Sequence, residues 1–259
     1  MTDRRLHFAS FMVGFAFWLT ACGGGEPAQP ARSSGSEVQA TAKSEPPAEA
    51  PPDLAAHMQA SFWMAVRARD ALIAGDLPSA QRAADALAKQ DYSQLLPADW
   101  KHWVVQLQQG ARELSIAPNL ESASQELGRV ALACGDCHDL HQRGPGRVRT
   151  EPEPWRDPPD QLDERMLRHQ IGAEQLWEGL AMPSEQAFRS GTITLTRAPL
   201  TPPERDGEPI DPAMQARIED IRALARRARA ATSYDERGRV YGELIARCAS
   251  CHAFRRPAL

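Results

Sequence analysis

Two identical cysteine-histidine segments constrain this chain more than any other feature of its sequence. Four of its five cysteines lie in two Cys-x-x-Cys-His segments, at 134–138 and 248–252. On a helix, positions i, i+3 and i+4 lie on the same side, so each segment presents two thiols and one imidazole to the same space. The residues concerned are Cys134, Cys137 and His138 in the first segment and Cys248, Cys251 and His252 in the second.

This spacing is the attachment signature of c-type haem, in which both thiols bind the porphyrin covalently. The adjacent histidine then supplies an axial ligand to the iron. We therefore predict two covalently bound haem c groups, with His138 and His252 as the proximal iron ligands. Disulfide bonds in an oxidising compartment and zinc binding are the alternatives. Neither explains why a histidine follows the second cysteine in both segments.

The fifth cysteine, Cys22, follows a predicted export signal at 1–21. This segment begins with basic residues and continues with an apolar stretch that is too short to span a membrane. It ends in Leu-Thr-Ala-Cys, which resembles the lipobox of bacterial lipoproteins and implies cleavage before Cys22 and acylation of that residue. Several acyl chains give stable attachment to membrane lipid, so we expect a lipid-anchored protein at the periplasmic face. Gly23 favours the outer membrane; an ordinary signal peptide with an unrelated cysteine is the alternative.

Proline-rich stretches divide the remaining chain. Residues 22–52 are rich in Pro, Ala, Ser, Gly and Glu and bury too little apolar surface to offset the entropy of ordering, which predicts a flexible tether. Residues 143–160 are dense in proline, glycine and charge, which predicts a linker. We therefore predict two domains, at 53–142 and 161–259, each of which ends in one cysteine-histidine segment.

Both predicted domains have the periodicity of amphipathic helices, so the expected fold class is all-α. The predicted helices of the first domain occupy 53–74, 78–90, 98–115 and 121–142. In the second domain, apolar stripes run from Leu162 to Leu180 and from Met214 to Ala228, and a last helix occupies 233–256. Residues 191–212 are predicted to form a long loop, in which Thr192 to Thr196 favour a short extended piece.

The position of each cysteine-histidine segment distinguishes between cytochrome folds. Seven residues follow His252, so any second iron ligand in that domain has to come from upstream. The small cytochrome c fold has the opposite order, with an early motif and a downstream methionine. A motif on the last helix is the arrangement of a four-helix bundle, in which cofactor sites form between facing helices.

The chain here resembles the class II, cytochrome c-prime-like cytochromes. The resemblance rests on the two motifs, on the helix junction Gly-Asp-Leu-Pro at 75–78, and on an arginine after each haem histidine (Arg143 and Arg256). It implies two tandem four-helix-bundle domains with the motif on the last helix of each. Arg143 lies one residue later than the family pattern. Bundles of this family often dimerise, so a homodimer is among the arrangements that the resemblance allows.

In this family the first helix covers the distal face of the haem and supplies either a methionine ligand or an apolar residue that leaves the iron five-coordinate. The resemblance therefore implies a distal ligand in the first helix of each domain. Our candidates are His57 and His169, and their rivals are Met58, Met64 and Met166. The choice matters because methionine raises the haem potential relative to a second histidine.

Charge and motifs limit the remaining function classes. The net charge is −4 and no basic stripe occurs, which excludes nucleic acid as a partner. Because redox chemistry belongs to the haem, we predict a carrier that transfers electrons between redox proteins through small transient interfaces, rather than an enzyme. The alternatives are a gas-binding or gas-sensing module with five-coordinate iron, a dihaem peroxidase, and a structural lipoprotein with disulfides.

Overall fold

The computed structural model describes residues 52–92, 95–141, 162–197 and 211–255. In these ranges the chain forms eight α-helices and one 3-10 turn (Ala98–Trp100), without strands, so the protein is all-α there, as predicted. The helices are α1 (Pro52–Ile73), α2 (Leu77–Ala88), α3 (Lys101–Ser115), α4 (Leu120–His141), α5 (Leu162–Ala181), α6 (Glu185–Arg197), α7 (Pro212–Ala230) and α8 (Tyr234–Arg255).

Several sequence predictions fall on residues outside these ranges. They concern the export signal at 1–21, the acylated Cys22, nearly all of the tether, the linker at 143–160 and the arginines Arg143 and Arg256. Within the described ranges, no helix is both long enough and apolar enough to cross a membrane.

Aspartate caps and prolines begin two of the helices as the sequence rules require. The Asp76 side chain accepts a hydrogen bond from the Ser79 amide (3.1 Å), and Pro78 lies in the first turn of α2. Asp211 caps α7 in the same way, followed by Pro212. Proline is tolerated there because the first-turn amides have no partner within the helix. Gly75 has a φ of +73°, a backbone conformation that glycine adopts without strain.

The loop predicted at 191–212 is wrong in its first part. Thr192 to Thr196 are not extended but form the last turns of α6, which ends at Arg197. Residues 198–210 of the predicted loop lie outside the described residues, and its last residue, Pro212, begins α7.

Packing against α5 explains this helical conformation. A Cβ atom at Gly191 would lie 2.8 Å from the Leu176 backbone nitrogen, so only glycine permits so close an approach of α6 to α5. The buried Thr194 hydroxyl donates to Gln175 Oε1 (3.1 Å), and the Thr192 hydroxyl donates to the Arg189 carbonyl (2.7 Å). Tertiary contacts therefore override the strand propensity of this threonine-rich segment.

One hydrophobic core extends through both halves of the described chain. Within it, α4 and α8, the two helices that carry the cysteine-histidine segments, pack against each other. A Cβ atom at Gly128 of α4 would lie 2.4 Å from the Gly238 carbonyl oxygen of α8, and one at Gly242 would lie 2.8 Å from the Ser124 carbonyl oxygen. The glycines thus allow the two backbones to touch. The described residues belong to one compact unit, and the division into two domains stays a prediction.

Candidate haem sites

The first cysteine-histidine segment lines a cavity of about 840 Å³ near the end of α4. Cys134, Cys137 and His138 all reach this cavity. Binding sites for small organic molecules typically have volumes of roughly 300–1,000 Å³, so the space is of the right order for a macrocycle. Its apolar walls include Leu54, Phe62, Leu87, Trp103, Val104 and Leu107.

The His138 imidazole is held in the form that a metal ligand needs. Its Nδ1 lies 2.7 Å from the Ala181 carbonyl oxygen of α5. Because a carbonyl can only accept, Nδ1 carries the proton and Nε2 presents its lone pair. Burial lowers the pKa of His138, partly offset by this hydrogen bond, so the imidazole is favoured in its neutral form. A hydrogen bond at the other ring nitrogen is the usual support for a metal-bound histidine.

The cysteine thiols are protected in the folded chain. Burial raises the pKa of Cys134 and Cys248 to about 12, and burial together with the Asp136 charge raises that of Cys137 to about 11. None of the four motif cysteines forms a disulfide. Because the thiolate is the reactive form, these three thiols are less reactive in the folded chain than in the unfolded chain. We therefore expect covalent haem attachment to precede complete folding.

The second segment, on α8, faces α7 and α5. Met214 of α7 lies beside the motif, with its sulfur 3.8 Å from Cys251 Sγ. Together with Ile218 and Ile221 it forms an apolar cluster that is separate from the main core within the described residues. This separate apolar wall lies beside the Cys251 thiol and is the kind of surface against which a flat apolar group packs.

His169 of α5 lies close to His252 in this second site. Burial, followed by the charges of His252 and Arg222, lowers the pKa of His169 to about 4. Its Nε2 atom is buried and has no hydrogen-bond partner among the described residues. A buried ring nitrogen without a hydrogen-bond partner costs free energy of folding. Coordination of iron would remove this cost. Met166, its rival, is half-buried one turn earlier.

The three distal candidates of the first site differ in placement. Met58 lines the cavity together with the motif thiols. The His57 ring instead packs edge-on against Tyr92, with 5.0 Å between ring centroids, and is not among the described residues that line the cavity. The sulfur of Met64 accepts a hydrogen bond from Gln90 Nε2 (3.7 Å). The structure therefore brings Met58, rather than His57 or Met64, to the haem-sized space.

For a haem bound in this cavity, replacement of Met58 by leucine is expected to remove the sixth iron ligand. The iron would become five-coordinate and high-spin, which electron paramagnetic resonance of the ferric protein detects as conversion of one of two low-spin signals. His57→Leu is the matched control, since it changes the adjacent residue of α1 and should leave both signals unaltered. If His57→Leu causes the conversion instead, His57 is the ligand.

Several groups at these sites were not found from the sequence. The Ala181 carbonyl is a backbone acceptor 43 residues from His138, and no side-chain pattern marks it. His141 also lines the first cavity and stacks on Trp100, with 4.0 Å between ring centroids. Met214 and Arg217 lie three residues apart on α7, on the same side of the helix. This spacing could have identified α7 as a wall of the second site.

No group of three or more His, Cys, Asp or Glu residues in the described ranges is arranged to hold a metal ion. Haem iron takes only one or two axial ligands from the protein, so this finding is compatible with haem. No protein-family model, curated protein or solved structure matches the chain. The resemblance to class II cytochromes therefore rests on the motifs of this chain alone.

Proposed function

We propose that this chain is a periplasmic, membrane-anchored dihaem cytochrome c that transfers electrons between redox proteins. The observation that carries the proposal is the first site, where two thiols and a histidine held in the ligand tautomer meet in one apolar cavity. The second motif repeats the same three groups on α8. Zinc binding and a disulfide-bonded lipoprotein do not account for both motifs and for the cavity.

We further propose that the chain consists of two tandem four-helix bundles, α1–α4 and α5–α8. In each half, successive helices pack against one another and the first helix packs against the last. The motif then lies on the last helix of each bundle. The contact between α4 and α8 joins the bundles, so that the two haem-bearing helices are neighbours.

In this proposal the haem supplies the one-electron chemistry of its iron, and the chain binds, orients and shields it. His138 and His252 are the proximal ligands, and the Ala181 carbonyl orients His138 and increases its basicity. Met58 and His169 are the distal ligands that the described geometry supports best. The apolar walls exclude water, one of the means by which a protein sets a haem potential.

These distal candidates favour electron transfer over gas binding. A gas-binding haem needs an open iron position, whereas Met58 in the first site and His169 in the second can each fill that position. A six-coordinate iron transfers electrons without binding a further ligand. The electron paramagnetic resonance spectra that test the distal ligands therefore also separate the two functions.

Maturation of the chain with a c-type haem attachment system is expected to yield two covalent haems per polypeptide, measured as the pyridine haemochrome per mole of protein. Cys134→Ala with Cys137→Ala, and Cys248→Ala with Cys251→Ala, should each leave one haem, because each pair holds one macrocycle. A known cytochrome matured in the same cells is the control. If that control carries haem and this chain does not, the proposal is wrong and a disulfide-bonded lipoprotein becomes the better interpretation.

A further inference from the structure

Two arginines of α7 lie at the second haem site, outside the haem-attachment pattern. Arg217 Nη1 donates a hydrogen bond to Ser250 Oγ (2.7 Å), and Ser250 lies between the two motif cysteines. Arg222 directly follows Ile221, a member of the same apolar cluster as Met214. At about 100° per residue, Arg217 and Arg222 fall on opposite edges of the apolar stripe of α7. That stripe consists of Met214, Ile218 and Ile221.

The described residues offset the positive charge of Arg222 only in part. Its Nη1 pairs with Glu219 Oε1 at 2.8 Å, but the Glu219 side chain is half exposed. Its Nε atom is buried and has no hydrogen-bond partner in the described part of the chain. A guanidinium group is always charged and offers five donors in a fixed plane. A buried N–H group of a permanent cation costs free energy unless an acceptor reaches it. An anion beside Arg222 Nε would supply that acceptor.

The first site has the opposite charge character. The described residues that line its cavity include no lysine or arginine, and their one carboxylate is that of Glu178. Arginines are therefore a feature of the second site and not a general property of the bundle. They stand on either side of the apolar wall against which a flat macrocycle would pack.

We propose that Arg222 binds a propionate carboxylate of the second haem. This inference rests on the proposed function, since the haem is the source of the anions. An arginine side chain can donate two parallel hydrogen bonds to one carboxylate. The Arg222 donors that do not bind Glu219 would make these bonds. The pairing would fix the orientation of the macrocycle, and the charge of Arg222 would offset a propionate charge, which disfavours the ferric state. The second haem is thereby held at a higher potential than it would have without Arg222.

The test uses the full chain with both haems attached, and haem content is measured first. In Arg222→Gln we expect the propionate bending bands of one haem to shift in the resonance Raman spectrum and its midpoint potential to fall. Arg222→Lys should preserve most of the potential, because it keeps the charge, but should still shift the bands, because it lacks the planar fork. If Arg222→Gln does not fold, Arg222→Lys alone tests the carboxylate contact. Repetition in the chain with Cys134→Ala and Cys137→Ala, which retains the second haem only, assigns the change to that haem.

Two controls separate this role from others. Arg226→Gln removes a charge from an exposed position of the same helix and should leave bands and potentials unchanged. Glu219→Gln breaks the ion pair of Arg222 but leaves the arginine in place, so the potential should not fall. The inference is overturned if a fully haem-loaded Arg222→Gln variant matches the parent in both readouts, or if Arg226→Gln or Glu219→Gln lowers the potential equally. A chain without covalent haem would contradict the proposed function instead.

Discussion

Replacement of Gly128 by alanine is expected to destabilise the protein substantially, although alanine is the better helix former. The new Cβ atom would lie 2.4 Å from the Gly238 carbonyl oxygen. This obstacle is backbone, which cannot rotate away as a side chain can, so α4 and α8 must separate. Overpacking of a dense core costs about 1–3 kcal/mol and occasionally more, which outweighs the gain of roughly 1 kcal/mol in helix propensity. Thermal unfolding followed by circular dichroism measures the loss.

The matched control is Gly110→Ala in α3. Its Cβ atom would meet mainly a methyl group of Val130, at 3.2 Å, which can shift by a few tenths of an ångström. We expect the free energy of unfolding to change by less than about 1 kcal/mol, since helix propensity and slight crowding oppose each other. For a domain of this size, 1 kcal/mol corresponds to about 2–4 °C in Tm. Equal melting temperatures for the two variants would mean that α4 and α8 do not touch through Gly128.

Periodicity and capping residues predicted most of the helices. The segments predicted at 53–74, 121–142 and 233–256 agree with α1, α4 and α8 to within one residue at each end. These helices have long apolar stripes, and local sequence suffices to mark them. The failure at α6 has a different cause. Its threonines favour a strand locally, and only the close approach of α5 through Gly191, a tertiary contact, makes the helix favourable.

The candidate sites were predictable where side chains alone define them. The six motif residues follow from spacing, whereas the Ala181 carbonyl and the contact between α4 and α8 involve backbone groups that leave no pattern in the sequence. The choice between His57 and Met58 shows a second limit. Adjacent helical residues point about 100° apart, and the rotation of α1 about its axis decides which of them faces the cavity. That rotation depends on the packing of the whole core.

Replacement of His169 by methionine is expected to raise the midpoint potential of one haem strongly. A methionine ligand in place of a second histidine raises the potential of haem iron, and axial ligands as a class span about 0.8 V. The position suits the exchange, because the His169 ring is largely buried, its Nε2 has no hydrogen bond to lose within the described residues, and the side chain lies near His252. Spectroelectrochemical titration of the matured chain should therefore show one wave displaced upward and the other unchanged.

Gln170→Met provides the control, because it places methionine at the next position of α5, where the side chain is exposed. It should leave both waves in place, since it cannot reach the iron. If His169→Met also leaves both waves in place, His169 is a core histidine and Met166 becomes the ligand to test by Met166→Leu. A displaced wave would instead establish a protein ligand on α5 opposite a proximal histidine on α8. That ligand pair would close the iron to gases and reserve the second haem for electron transfer.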